Sequence, residues 1–341
     1  MTQSSQGDFQ AAKTVVRAFH ATLDNSTPST IVQELDRFVA PDWHWRGMHP
    51  FHEQTGAAAV AEVFWTPLRN ALKSLQRRPD IFIAGLNEID GFASTWVVEM
   101  GHLMGLFDQA WLGIRPTMRI ATLRYCEFNR VEGGKIVETA MFCDIPHLMI
   151  QAGQDPFPPQ TGAMLVQPGP RTHDGLCYDQ QDQARGQAAL AVINGMLGSM
   201  KARTREEDPV RRLQMDWHDD MIWWGPAGIG ATYTIKRYLQ QHSYPFRDAL
   251  VDYQFNGHIA KLAERDFGGF FGWANLTLRN AGGYLGMTGG PGPADMRVID
   301  MYRVEDGKLA ENWIFIDILH FLNMQGLDVL KRNEAVLAGG G

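Results

Sequence analysis

Asp144 and Asp317 are the residues of this 341-residue sequence whose type and position best fit a chemical role. Each follows a strand-like run, in the segments FCDIPH and FIDILH. A lone carboxyl group buried among aromatic side chains has a raised pKa, because burial disfavours the charged form, and it can then exchange protons with carbon acids. An aspartate at this point is also a good N-cap for a following helix, so capping is the alternative role.

The two aspartates lie in a long internal repeat. Residues 130–153 and 303–326 align without a gap at an offset of 173 and share eleven identities in twenty-four positions. A repeat of this length is a small domain used twice. We therefore predict domains at 8–153 and 180–334, joined by a proline-rich linker at 154–179 that is extended rather than helical.

Both halves show the same order of elements. Apolar residues at helical spacing open each half, at 8–24 and 183–200, and strand-like patterns fill the remainder. Helices followed by strands predict an α+β fold, in which three N-terminal helices pack on a curved antiparallel sheet of four to six strands. Such a unit is a cone-shaped barrel with an interior pocket. Two in tandem, packed through their sheets, would form an internal pseudo-dimer.

The hairpins at 132–135 and 305–308 predict which side chains share a face of each sheet, if the strands pair without interruption. One face then carries aromatic and acidic residues and lines the cone: Tyr125, Glu127, Glu138, Phe142 and Asp144, and in the second half Asp300, Tyr302, Glu311, Trp313, Phe315 and Asp317. The other face is apolar and is predicted to pack against its twin. A register slip of one residue would exchange the faces.

The same register predicts that each deep aspartate acts alone. Glu127 and Asp144 lie about 13 Å apart along the hairpin, at ~3.3 Å per residue. Two carboxyl groups that share a proton must lie within roughly 3 Å.

The aromatic content predicts a binding pocket for a flat, apolar molecule, with core packing as the alternative for most tryptophans. The predicted substrate-binding residues are Trp43, Trp45, Trp65, Tyr125, Glu127 and Phe142 in the first half, and Trp223, Trp224, Phe246, Trp273, Asp300, Trp313 and Phe315 in the second.

The repeated ending, with Arg-Val-Glu-Asp-Gly-Lys, Glu-Asn-Trp, Ile-Asp and Gln-Gly, resembles the SnoaL-like polyketide cyclases of the nuclear transport factor 2-like superfamily. The segments GHLMGLF at 101–107 and LGIRPT at 112–117 are similar to that family's Gly-His and Gly-Pro-Thr segments. WWGPAGIG at 223–230 and HSYPF at 242–246 are similar to tandem members of the group.

The resemblance implies an aspartate that acts as general acid/base in an aldol ring closure, assisted by a histidine, without metal or cofactor. The aspartate role carries over to Asp144 and Asp317, and the histidine role carries over to His102. Asn275 stands at the matching offset in the second half, so His242 or His258 is expected to supply the imidazole there.

Several classes of function are not expected. The net charge is −7 and no basic block occurs, which argues against nucleic-acid binding. No apolar run approaches the ~18 residues of a membrane span. The histidines at 44, 49 and 52 lack a ligand pattern typical of a metal site, so a metal-dependent hydrolase that uses them is only a third and weaker alternative. Three cysteines and the absence of a signal-peptide pattern at the start favour the cytoplasm.

Taken together, these features predict a cofactor-free cyclase or isomerase acting on a small hydrophobic carbonyl compound. The alternative is a non-catalytic binding or carrier protein for such a molecule. Homodimerisation is a further expectation, and the superfamily's diversity means that the fold alone does not specify the reaction.

Overall fold

The structure is a computed structural model that describes residues 9–201 and 208–339, so residue 8 of the predicted first domain lies outside the described residues. The elements of the first half are α1 (Gln10–Asn25), α2 (Ile31–Asp36), β1 (Val39–Gly47), β2 (Glu53–Thr55), α3 (Ala57–Val60), a π-helical turn (Ala61–Trp65), α4 (Thr66–Ala71), β3 (Leu72–Leu86), β4 (Thr95–Phe107), β5 (Ile120–Glu132), β6 (Lys135–Cys143) and α5 (Ile145–Gln151).

The second half repeats this order. Its elements are α6 (Gln183–Lys201), α7 (Pro209–Asp216), β7 (Trp217–Trp224), β8 (Ala231–Tyr233), α8 (Ile235–Tyr238), a π-helical turn (Leu239–Ser243), α9 (Tyr244–Ala249), β9 (Leu250–Phe255), β10 (Ala260–Glu264), β11 (Phe267–Asn280), a 3₁₀ turn (Tyr284–Gly286), β12 (Ala294–Glu305), β13 (Lys308–Ile316), α10 (Ile318–Met324) and α11 (Val329–Gly339). The predicted α+β class, with two tandem domains, is confirmed.

Helix α1 shows why the helices lie across the sheets. Its residues Ala12, Val16, Phe19 and Leu23 are buried and recur every three or four positions, so one stripe of the helix faces the core. His20 is buried next to this stripe. The helix therefore places an imidazole inside the first cone.

Each sheet is mixed rather than purely antiparallel. The first has the strand order β2-β1-β6-β5-β4-β3 and the second β10-β11-β12-β13-β7-β8, with β9 also paired to β11. β1 runs parallel to β6, and β7 runs parallel to β13. The antiparallel prediction is wrong for these pairs. No hairpin joins β1 to β6 or β7 to β13, because several other elements lie between the paired strands along the chain.

A β-bulge interrupts the last hairpin of each domain. Pairing starts as predicted, with Glu132 opposite Lys135, but it shifts by one residue between Arg130 and Val131. The second domain has the equivalent shift between Arg303 and Val304. A bulge adds one residue to one strand, so every later side chain of β6 and β13 lies on the face opposite to the predicted one.

The apolar backs of the two sheets pack against each other, and we call this contact the seam. It joins Ile81, Ile83, Trp96, Val98, Met100, Cys126, Phe128, Ala140 and Phe142 to Trp224, Ala231, Ala260, Leu262, Phe267, Phe271, Ile299, Met301, Trp313 and Phe315. Phe128 and Phe271 meet across it, with ring centroids 5.1 Å apart. The predicted internal pseudo-dimer is confirmed.

The linker at 154–179 runs along both domains and contains no helix, as its prolines predict. Ala163 pairs with Ala231 in the second domain, and Leu176 pairs with Phe82 in the first. Within the described residues, no helix is both long enough and apolar enough to cross a membrane.

Candidate functional site

Asp144 follows β6, caps α5 and also joins the two domains. Its Oδ1 accepts a hydrogen bond from the backbone N–H of His147 at 3.2 Å, which satisfies a free donor in the first turn of α5. Its Oδ2 accepts from the backbone N–H of Ala227 in the second domain at 2.9 Å.

Asp317 makes the equivalent contacts in the opposite direction. It caps α10 through the N–H of His320 at 3.2 Å, and its Oδ2 accepts from the backbone N–H of His49 in the first domain at 3.0 Å. Arg297 lies 3.5 Å from the same oxygen. Burial raises the pKa of Asp317 to about 6, although Arg297 acts in the opposite direction.

The predicted placement of these aspartates inside the cones is therefore wrong. The bulges put Asp144 and Asp317 on the domain–domain side of their sheets, where backbone donors engage both oxygens of each. The capping alternative describes the observed geometry. Their catalytic role stays a prediction, which these occupied acceptors do not favour.

His102 and Asp144 do line one common pocket, between the domains. The Nδ1 atom of His102 lies 3.3 Å from Oδ2 of Asp80, and Arg124 and His147 also line the space. The enclosed part holds roughly one water molecule. The pocket is thus too small for a flat polycyclic substrate.

The interior of the first cone is filled by a buried ionic network. The imidazole of His20 lies 2.5 Å from Oε1 of Glu127 and 3.2 Å from Oε1 of Glu99. Arg77 contacts the same Glu99 oxygen at 3.1 Å, and the Tyr125 hydroxyl donates to it at 2.5 Å. The network continues from Glu127 through Asn129, Thr139 and Trp43.

The charges in this network stabilise one another. Burial and Arg77 act to lower the pKa of His20, but Glu99 and Glu127 outweigh them and raise it to about 9. Burial acts to raise the pKa of Glu99, but His20 and Arg77 lower it to about 2. The first cone therefore holds an imidazolium between carboxylates, and no member of the network is free to exchange protons near neutral pH.

Sequence reasoning placed Trp43, Tyr125 and Glu127 in this cone but missed His20, Glu99 and Arg77. The signal for His20 was its place beside the apolar stripe of α1. Glu99 lies opposite Glu127 in the sheet, which required the β4–β5 register to be known.

In the second cone, a single carboxyl group stands in place of this network. Asp300 stands at the position equivalent to Glu127, and Phe270 lies opposite it where Glu99 lies in the first cone. Asn312 donates to Oδ1 of Asp300 at 3.0 Å, and Tyr302 also hydrogen-bonds the carboxyl group. Burial raises the pKa of Asp300 to about 7, although both hydrogen bonds act in the opposite direction.

The floor of the second cone is slightly more exposed than the floor of the first, although both are buried. Three equivalent pairs show the difference in exposed fraction: Asp300 at 9% against Glu127 at 1%, Val298 at 6% against Tyr125 at 0%, and Ile314 at 8% against Met141 at 1%. The carboxyl group of the second cone is therefore buried but less tightly enclosed than that of the first.

Aromatic rings lead from the surface to this floor. Phe255 is exposed and lies 5.2 Å from the ring of His258, which lies 4.0 Å from the ring of Phe270. Phe270 is the cross-strand neighbour of Asp300. His258, a predicted catalytic residue, is thus one ring away from the carboxyl group.

His242, the other predicted imidazole, lies in an aromatic cluster beneath the helices of the second domain. It stacks on Trp223 with centroids 3.9 Å apart and lies 5.7 Å from the ring of Phe246. Burial lowers the pKa of His242 to about 3, so its imidazole is neutral. Trp45 and Trp65 belong to the corresponding core of the first domain.

Five predicted substrate-binding residues lie at the seam and not in a cone: Phe142, Trp224, Trp273, Trp313 and Phe315. The bulges account for Phe142, Trp313 and Phe315. Trp273 packs on Phe142 and lies under Arg297, 3.9 Å from its guanidinium carbon to the ring centroid. In the described part of the chain, no group of three or more His, Cys, Asp or Glu residues is placed to hold a metal ion.

The geometry defines a tandem of two α+β cones, one filled by charges and one holding a lone, buried carboxyl group. Residues 16–139 match the family model of the SnoaL-like domain. The first domain therefore matches the SnoaL-like family, and the resemblance seen in the sequence is confirmed.

Solved structures with similar chains include IdmH from Streptomyces antibioticus, a candidate polyketide cyclase, at 16% identity over 42% of this chain and 99% of its own, with a TM-score of 0.35. A candidate SnoaL-like polyketide cyclase from Jannaschia sp. CCS1 has 17% identity over 47% and 100%, with a TM-score of 0.35. A nuclear transport factor 2-like protein from Burkholderia xenovorans LB400 has 11% identity over 41% and 97%, with a TM-score of 0.33. No curated protein matches the chain. Because these TM-scores are low, the family assignment rests on the sequence match.

Proposed function

We propose that the second cone is the reaction centre of a cofactor-free acid/base enzyme, and that Asp300 carries the proton. Its substrate is a small, largely apolar carbonyl compound, and the reaction is an isomerisation or an aldol-type ring closure. The observation that carries this proposal is a lone, buried carboxyl group with a pKa of about 7, flanked by Phe270 and Tyr302.

The protonation state of Asp300 suits proton transfer in both directions. A group whose pKa lies near the working pH is present as both acid and base, which is the optimum for general acid–base catalysis. The carboxylate form removes a proton from the carbon next to the carbonyl, and the resulting carboxylic acid returns it at the same or another carbon. Asn312 holds Oδ1 in place through its amide N–H.

The surrounding rings suit a planar substrate. Phe270 and Tyr302 flank Asp300 on the same face, with ring centroids 5.9 Å apart, and Trp217 lies 6.0 Å from Tyr302. Aromatic side chains bind apolar molecules without losing much conformational freedom. In this proposal His258, whose ring packs on Phe270, contacts the substrate carbonyl.

The first cone lacks this capacity because its network fixes the proton on His20. We therefore assign it a structural role, and the two domains do not share the chemistry equally.

Hydrogen–deuterium exchange at carbon tests the proposal without knowledge of the natural substrate. Polyketide-like, steroid and terpenoid ketones are incubated in D₂O, and the loss of α-proton signals is followed by NMR. We expect exchange of at least one ketone by the wild type, and a loss of roughly 10²–10⁴-fold in Asp300→Asn. Glu127→Gln, the same change at the equivalent position of the first cone, is the matched control and should keep the activity of its folded fraction.

Two outcomes contradict the proposal. Equal exchange rates in the wild type and Asp300→Asn would remove Asp300 from the mechanism. Saturable binding of a ketone that depends on the second cone, without exchange or turnover, would indicate the carrier function instead.

A further inference from the structure

Asn275 lies on β11 and joins the floor of the second cone to an imidazole. The pairing of β11 with β12 shifts between Gly272 and Leu276, and Asn275 stands in this interrupted stretch. Its Oδ1 accepts a hydrogen bond from the backbone N–H of Val298 at 2.8 Å. Its Nδ2 lies 3.2 Å from Nδ1 of His258. One buried amide therefore contacts both a strand of the cone and the histidine that the proposed function uses.

The orientation of the Asn275 amide is fixed by its two neighbours. A backbone N–H can only donate, so the amide atom that faces Val298 must be the oxygen. The amide nitrogen is consequently the atom that faces His258. Gly272 leaves the space for this arrangement, because a Cβ atom at position 272 would lie only 2.5 Å from Cγ of Asn275.

This orientation determines where the proton of His258 lies. An amide NH₂ group donates and cannot accept, so Nδ1 of His258 must be the acceptor and carries no proton. The neutral imidazole then carries its proton on Nε2. An imidazolium has a proton on each nitrogen and would place two donors face to face. Asn275 thus favours one tautomer and disfavours the charged form.

The backbone on both sides of His258 is tied to the same strand. The N–H of Asn256 donates to the carbonyl of Asn275 at 2.8 Å, and the N–H of Ile259 donates to the carbonyl of Phe271 at 2.8 Å. These two bonds fix the turn that carries His258. Together with the amide contact to the ring, they hold the imidazole against β11.

We propose that Asn275 is a positioning residue of the second cone, which holds His258 as a neutral imidazole with its proton on Nε2. The inference rests on the proposed function, in which His258 contacts the substrate carbonyl. A fixed N–H donor at that oxygen stabilises the enolate that forms when Asp300 removes the α-proton. The two groups then have separate tasks: Asp300 transfers the proton, and His258 stabilises the developing charge on oxygen.

Nitrogen NMR tests the tautomer without a substrate. Protein labelled with ¹⁵N at histidine is studied at pH 8, where the two-bond couplings between ring protons and nitrogens show which nitrogen is protonated. The His258 signals are identified by their loss in His258→Gln. We expect a protonated Nε2 and an unprotonated Nδ1. Because histidine in water already favours this form, the decisive comparison is with a variant that reverses it.

Asn275→Asp is that variant. It keeps an oxygen for the N–H of Val298 but presents a carboxylate oxygen, an acceptor, to Nδ1 of His258. The proton should therefore move to Nδ1 and leave Nε2 unprotonated. Asn256→Asp is the matched control, because it adds the same charge two residues from His258, where the native side chain bonds Thr277. This control should keep the wild-type tautomer.

The exchange of ketone α-protons in D₂O tests the consequence for the reaction. Asn275→Asp should lower the exchange rate at least tenfold, because Nε2 no longer donates to the carbonyl. Asn256→Asp should change the rate less than twofold. Thermal melting of both variants measures the folded fraction to which the rates are referred.

The outcomes separate this inference from the proposed function. A proton on Nδ1 in the wild type overturns the positioning role, and so does the same tautomer in the wild type and Asn275→Asp. Equal exchange rates in these two proteins also overturn it, even if Asp300→Asn is inactive. The expected tautomers in a protein that exchanges no ketone would support the control of His258 by Asn275, while the proposed function failed.

Discussion

The carboxylate of Asp317 in the second domain accepts the backbone N–H of His49 in the first, at 3.0 Å. The pseudo-symmetric contact joins Asp144 to the N–H of Ala227. In each case a residue shortly after the aromatic-glycine step of one domain is held by the helix cap of the other. The strand-ending aspartates are therefore cross-braces between the domains.

Removal of the contact between Asp317 and His49 should lower the stability of the protein. We expect Asp317→Ala to lower the free energy of unfolding by roughly 2–4 kcal/mol, because the buried N–H groups of His49 and His320 lose their acceptor. Asp317→Asn should cost less, since one oxygen remains. Urea denaturation measures both changes, with the exposed Asp42→Ala as the control. A loss below about 1 kcal/mol for Asp317→Ala would contradict the assignment.

The His20 network predicts a loss of stability at alkaline pH. His20 has a pKa of about 9 in the folded protein and about 6.5 when unfolded, so the folded state binds more protons between these values. Stability from this group is fully present below pH 6.5 and is lost as the pH rises through 9, by roughly 3 kcal/mol. Urea denaturation at pH 6.5, 8 and 9.5 measures it. His20→Leu should flatten this dependence while destabilising the protein at pH 6.5, because Glu99 and Glu127 lose their partner.

The raised pKa of Asp300 predicts that this residue lowers the stability of the protein at neutral pH while it serves the proposed activity. Its pKa of about 7 lies above its ordinary value of 3.8, so stability falls as the pH rises from about 4 to 7, because the buried group must ionise. Asp300→Asn should therefore raise the free energy of unfolding at pH 8 by roughly 1–4 kcal/mol, with little change at pH 4. An unchanged or lowered stability at pH 8 would mean that the carboxylate is solvated in the cone. Chemical denaturation at both pH values decides between these results.

We expect substitution of Trp313, which lies at the seam, to lower the stability of the protein strongly. Its side chain is fully buried against the opposite sheet, and its indole N–H donates to the carbonyl of Pro168 at 3.0 Å. Trp313→Ala should destabilise the protein by roughly 3–5 kcal/mol through the cavity it leaves. Phe92→Ala, at a half-exposed site, should cost less than 1 kcal/mol. If the two variants have similar denaturation midpoints, the domains are not coupled through this contact.

The fold could be predicted from the sequence because the internal repeat and the order of helix and strand patterns are both evident in the amino acids. The apolar backs of β5 and β12 were also correctly assigned, through Cys126, Phe128, Ile299 and Met301. Turn chemistry correctly located the two hairpins, since both pairings begin as expected.

The site was harder to predict because a one-residue bulge in each last hairpin determines which side chains of β6 and β13 face the cone. The bulges beside Arg130 and Arg303 leave no clear mark in the amino-acid pattern, yet they move Phe142, Trp313 and Phe315 from the cone to the seam. Glu99 and His20 lie far from Glu127 in sequence, so their meeting depends on tertiary packing. Asp300 and Glu127 were identified on the correct face because β5 and β12 carry no bulge before them.

The linker gives the seam a property that a symmetric pair of separate chains lacks. Because residues 154–179 tie the two sheets together, their association is intramolecular and does not depend on protein concentration. A two-fold homodimer must carry each substitution twice, whereas this chain can change one half without changing the other. Substitutions can therefore change the residues inside one cone while the other cone keeps its structural role.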